Sequence, residues 1–133
     1  YYAVVRGEPE NKSGIFEDLL FKDSSKNKSY VVKRMRKGVK KASLEYETQK
    51  TLTDGDKKYS LVKIKLHTGR THQIRVQFSS RKMPLLGDGK YGGKCEGCKT
   101  ALWSYSLSFL HPFTGKEIFV NEPAPSVYPW NMF

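Results

Sequence analysis

The chain has 133 residues, with 24 Lys and Arg against 13 Asp and Glu, for a net charge of +11. That length holds one small domain with a modest core, and 38% hydrophobic residues with 13% aromatics exclude a disordered chain. No run approaches the roughly 18 apolar residues of a membrane span, and the positive excess points to a polyanionic partner bound in a salt-dependent way.

The chain opens at Tyr1 inside a strand-like run, Tyr1-Tyr2-Ala3-Val4-Val5-Arg6, that ends at Gly7. Without an initial Met it reads as part of a longer protein whose front is absent. No signal peptide opens it, so a cytoplasmic location is expected. Glu8 to Gly14 carries loop residues. Ile15 to Phe21 then reads as a strand, Asp23 to Asn27 as a polar turn and Tyr30 to Val32 as the partner strand. From Lys26 to Lys41 there are eight basic residues and no acid: Lys26, Lys28, Lys33, Arg34, Arg36, Lys37, Lys40 and Lys41. Two readings stand side by side: contact with a nucleic-acid backbone, or a solvated basic loop.

Ala42, Leu44, Tyr46, Thr48 and Leu52 alternate with polar residues, as in a strand with one wet face. Asp54-Gly55 is a hairpin turn. Tyr59 to Leu66 returns, with Val62, Ile64 and Leu66 inward and Lys63 and Lys65 outward. Gly69 is free to take the sharp angle of a strand-to-helix corner, and Thr71 is placed to cap a short helix over Thr71–Ser80, where Ile74 and Phe78 share a face. Arg70, His72, Gln73 and Arg75 then cluster at a helix N-terminus, which favours an anion. On spacing alone, a solvated corner with two arginines is an equal reading.

Pro84 stops the helix, and Gly87 to Gly93 is loop. Cys95-Glu96-Gly97-Cys98 lacks a second ligand pair for zinc, so reduced thiols in a variable loop are expected, with a disulfide or metal as the lesser alternatives. Leu102 to Leu110 reads as one strand with a bulky odd face and a small even face. His111 to Gly115 is a turn, Lys116 to Val120 a last strand, and a proline-rich tail follows.

Thr68-Gly69-Arg70-Thr71-His72-Gln73-Ile74-Arg75-Val76, followed by Pro84-Leu85-Leu86-Gly87-Asp88 and Lys90-Tyr91-Gly92, closely resembles the signature of RluA-type pseudouridine synthases. The Tyr1–Gly7 strand and the turn at His111-Pro112 also match, so the likeness runs from Tyr1 to about Pro125. The resemblance implies an α+β fold, a mostly antiparallel mixed sheet with one short helix, residues 1–133 being the C-terminal part of the catalytic domain. It implies isomerisation of uridine in ribosomal or transfer RNA, without metal or organic cofactor, by a monomer. Tyr1 falls on the family's active-site tyrosine, though a strand-end core tyrosine is the commoner reading of such a residue. Arg75 falls on the arginine that pairs with a nucleophilic aspartate.

That aspartate lies in an Arg-Leu-Asp run which this sequence lacks, so Arg75 is expected to face an empty position and the chain alone to be inactive. Asp88 is expected to support structure. Arg70, His72, Gln73, Lys33, Arg34, Arg36, Lys37, Lys40 and Lys41 are assigned to RNA contact; for His72, a capping or packing role is an equal alternative. The competing reading of the whole is a non-catalytic RNA-binding module on the same scaffold.

Overall fold

The computed structural model describes residues 1–133. Strands β1 (Tyr2–Arg6), β2 (Ser13–Asp23), β3 (Lys28–Val32), β4 (Val39–Asp54), β5 (Lys57–Leu66) and β6 (Leu102–Trp103) form one sheet in the order β3-β2-β4-β5-β1-β6. Every pairing in it is antiparallel. Helix α1 (Gln73–Ser80) packs across one face. Strands β7 (Ser106–Leu110) and β8 (Glu117–Asn121) pair only with each other.

The period-two patterns place the core as expected. Ala42, Leu44 and Tyr46 on β4 and Val62 and Ile64 on β5 are buried, while Lys63 and Lys65 point outward. Gly55, at φ 64°, heads a two-residue loop that closes the β4–β5 hairpin between Asp54 and Lys57. Between Thr48 and Lys50 a bulge shifts the register, which ends the alternation before Leu52. On the helix, Ile74 and Phe78 complete a core with Phe16, Leu44, Tyr46 and Leu85.

Two expectations change. The sharp backbone angle at the helix start belongs to His72, at φ 53°, and not to Gly69; His72 is the N-cap residue, and no side chain caps the helix. Thr71 is instead held through its carbonyl, which accepts the Ser29 hydroxyl at 2.8 Å. The single strand expected over Leu102–Leu110 breaks at Ser104-Tyr105. Its first half joins β1 in the main sheet and its second half leaves to pair with β8. Alternation alone does not say which partner each half takes.

Candidate functional site

The junction between β5 and α1 is assembled by side chains that bond inward. Gln73 is 3% exposed. Its Oε1 accepts the Thr68 hydroxyl (2.7 Å) and the Arg70 N–H (3.0 Å), and its Nε2 donates to the Ser43 carbonyl (3.0 Å). Gln73 is therefore a buried clamp, and the expected RNA contact is corrected: an amide with three protein partners is not offered to phosphate. Arg70 donates Nε to the Lys41 carbonyl at 2.9 Å and has no carboxylate partner.

Arg75 does not face an empty position. Its Nε and Nη2 each donate to the Asp88 carboxylate at 2.8 Å, in a side-on fork, and Asp88 is fully buried. The bond to Asp88 raises the Arg75 pKa above its ordinary value, so the guanidinium keeps its charge. Asp88 is aimed by the turn around it. Gly87, at φ 85°, lies so close to the Lys99 carbonyl that any Cβ would collide, and the Gly93 N–H donates to the Asp88 carbonyl at 2.7 Å.

Tyr91 joins helix, turn and sheet. Its ring lies under the Arg75 guanidinium, 5.0 Å away, and its hydroxyl accepts the Ser29 N–H at 2.9 Å. The same oxygen is 2.8 Å from His72 Nδ1. With the phenol as donor, His72 is the neutral tautomer carrying its proton on Nε2. Burial, then the positive charges of Arg75 and Lys90, hold the His72 pKa below its ordinary value, with Asp88 opposing weakly and Lys22 adding to the depression.

A lowered histidine pKa means that the unfolded chain takes up the proton first. Stability contributed by neutral His72 is full above about pH 7.5 and declines as pH falls through the unfolded value of about 6.5. Urea unfolding at pH 7.5 and 5.0 should show a drop that His72→Asn diminishes, Asn being tolerant of the left-handed backbone. An equal drop in both chains would refute the assignment.

Tyr1 lies elsewhere. Its carbonyl accepts the Ile64 N–H at 2.8 Å, and it lines an open cavity of about 820 Å3 with Glu45, Glu47, Lys63, Lys65 and Tyr105. Arg75 does not line that cavity. Lys33, Arg34, Arg36, Lys37, Lys40 and Lys41 are all exposed, and none has an acidic partner. Arg36 stacks over Phe21 at 4.5 Å. Lys33 and Lys41 flank a groove of about 550 Å3 that reaches Thr68, so the basic segment and the helix junction meet.

A family model described as RNA pseudouridylate synthase matches residues 1–80. The chain belongs to the RNA pseudouridylate synthase family. It is 36% identical to an uncharacterized RNA pseudouridine synthase of Aquifex aeolicus (strain VF5), the alignment covering 98% of this chain and 44% of that protein. An uncharacterized RNA pseudouridine synthase of Bacillus subtilis (strain 168) is 31% identical over 95% of this chain and 40% of its own length. The chain thus spans less than half the length of these curated relatives. Ribosomal large subunit pseudouridine synthase D of Vibrio vulnificus (strain CMCP6) is 37% identical over 52% of this chain and 26% of that protein. The solved structure of human RNA pseudouridylate synthase domain containing 1 shares the fold, with TM-score 0.76 at 23% identity over 95% of this chain and 54% of that one.

In this family member, the sequence patterns do not single out Tyr91, Lys63 or Tyr105. Tyr91 stands in the Lys90-Tyr91-Gly92 run, but no spacing rule ties it to His72 nineteen positions earlier. The two cysteines also differ from expectation: Cys95 and Cys98 are joined as a disulfide. Gly97, at φ 75°, turns the chain so that their Cα atoms lie 5.6 Å apart, inside the range a disulfide spans.

Proposed function

We propose that this chain supplies the tyrosine-bearing part of an RNA pseudouridine synthase, which isomerises uridine in RNA to pseudouridine. The observation that carries the reading is the cavity at Tyr1, open on a sheet face and lined by Lys63 and Lys65, in a chain of this family. Chemistry on a base requires that base to leave its stack. Tyr1 is 36% exposed and offers its ring to a flipped uridine. Arg75 acts from the helix side, held ionised by Asp88, with Nη1 free of protein partners.

Lys33, Arg34, Arg36, Lys37, Lys40, Lys41 and Arg70 form the backbone-binding strip, and His72 contributes as a neutral donor through Nε2. The name of the Vibrio relative makes ribosomal RNA the first substrate class to test. No Arg-Leu-Asp run occurs in these residues, so the chain by itself should bind RNA without converting uridine.

Titration of the chain with a uridine-containing RNA between 50 and about 200 mM salt should give log K falling linearly with log salt. Changing Lys33, Lys37, Lys40 and Lys41 to Gln should flatten the slope by up to about 3, at roughly 0.7 for each single-strand phosphate that is no longer neutralised. A slope near zero in the unaltered chain would remove the RNA reading.

A further inference from the structure

The cavity at Tyr1 has an aromatic wall that the family signature does not include. Tyr105 sits where the strand expected over Leu102–Leu110 breaks. The break turns its ring onto that of Tyr2, with centroids 4.2 Å apart and planes inclined by 29°. Its carbonyl accepts the Glu122 N–H at 2.7 Å, and Trp103 Nε1 donates to the Glu122 carbonyl at 3.2 Å, so the break is fixed by bonds on both sides. Lys63, the strand partner of Tyr2, places its ammonium 5.7 Å from the Tyr105 centroid. The neighbouring Tyr105 side chain raises the Lys63 pKa, and the lysine keeps its charge.

We propose that Tyr105, braced by Tyr2 and flanked by Lys63, is a stacking platform for one unpaired nucleotide of the RNA, at the cavity that Tyr1 lines. This rests on the RNA reading above. Every base has a π face, so an aromatic ring beside a cation binds single strands with little regard to sequence. Lys63 and Lys65 supply charge for the phosphate of that nucleotide. Glu45 and Glu47, the cross-strand partners of Lys65 and Lys63, also line the cavity and can accept hydrogen bonds from base N–H groups. Glu45 is also 3.3 Å from His67 Nε2, and Glu47 accepts Gln49 Nε2 at 3.0 Å, which holds both carboxylates in place. An apolar partner is disfavoured by four charged side chains around one ring pair.

The test uses the full chain and an unstructured RNA carrying one 2-aminopurine next to a uridine. Stacking on Tyr105 should quench the 2-aminopurine emission. Tyr105→Leu should abolish the quenching and weaken binding about 5- to 150-fold, the range for removing one base–aromatic stack. Tyr105→Phe should keep both. Lys63→Gln, at an exposed strand position, should weaken binding without unfolding the sheet. In the unaltered chain, a 4-thiouridine at the same place should cross-link to Tyr105 on irradiation, a readout that needs no variant to fold.

Unchanged affinity and quenching in Tyr105→Leu, or equal losses in Tyr105→Phe, would overturn the platform. If that happens while the four-lysine variant still flattens the salt dependence, the RNA reading survives and only the platform fails. If the unaltered chain shows no salt-dependent binding, both fall.

Discussion

Arg75→Ala is expected to destabilise the chain by about 3 kcal/mol, at the lower end of the cost of breaking a buried ion pair, and to lower the thermal midpoint by roughly 10 °C. The reason is asymmetric burial. The Asp88 side chain is 0% exposed and that of Arg75 is 23% exposed. Removing the guanidinium leaves a buried carboxylate that has no other side-chain partner. It also bares the ring of Tyr91 that the guanidinium covers.

A urea titration of Arg75→Ala and of the double variant Arg75→Met with Asp88→Leu separates the causes. If the orphaned charge is the cost, the apolar pair recovers much of the loss. A single variant as stable as the unaltered chain would show that the pair is structurally dispensable. The result bears on function as well. Lost turnover in a longer synthase carrying Arg75→Ala would report unfolding mixed with chemistry, so the stability measurement has to come first.

The second large effect is expected at Phe78→Ala, about 3–5 kcal/mol. Phe78 is 0% exposed and meets Phe16 edge-on at 5.0 Å and Tyr46 at 6.2 Å. It is also the anchor of an eight-residue helix that has no side-chain cap and no acid in its first turn. A helix this short draws its stability from packing, so the cavity left by the ring would loosen the junction at Arg70 to Arg75. Circular dichroism and urea unfolding read the change directly. Phe78→Leu, which removes less volume, should cost less; equal costs would point to lost ring geometry instead of lost volume.

What the letters reveal and what they hide divides along chain distance. The β4–β5 hairpin was legible because alternation and an Asp-Gly turn are local signals, and the helix was legible from Ile74 and Phe78. The family resemblance drew attention to the junction between β5 and α1. Its inner wiring was not legible. Gln73 reads as a polar residue at an open helix end, yet Ser43, thirty positions earlier, draws it inside. Arg75 reads as waiting for a partner, and Asp88, thirteen positions later, already occupies it. The left-handed turn falls at His72, whose ring meets the Tyr91 hydroxyl, and no propensity for glycine signals it. The run from Leu102 to Leu110 kept one alternation across two partners, so its break was invisible until both sheets were seen.

The β7–β8 ribbon gives the molecule two clocks. Leu107, Phe109 and Val120 on one face, and Leu110 and Phe119 on the other, are all more than a third exposed, so neither face is sealed from water. Its cross-strand amides can open without disturbing β1, where Ala3, Val4 and Val5 are 0% exposed. In deuterated buffer the ribbon amides should exchange on a schedule set by local opening. Those of β1 and β5 should wait for global unfolding, so one spectrum recorded over hours would read the stability of the ribbon and of the sheet as separate quantities.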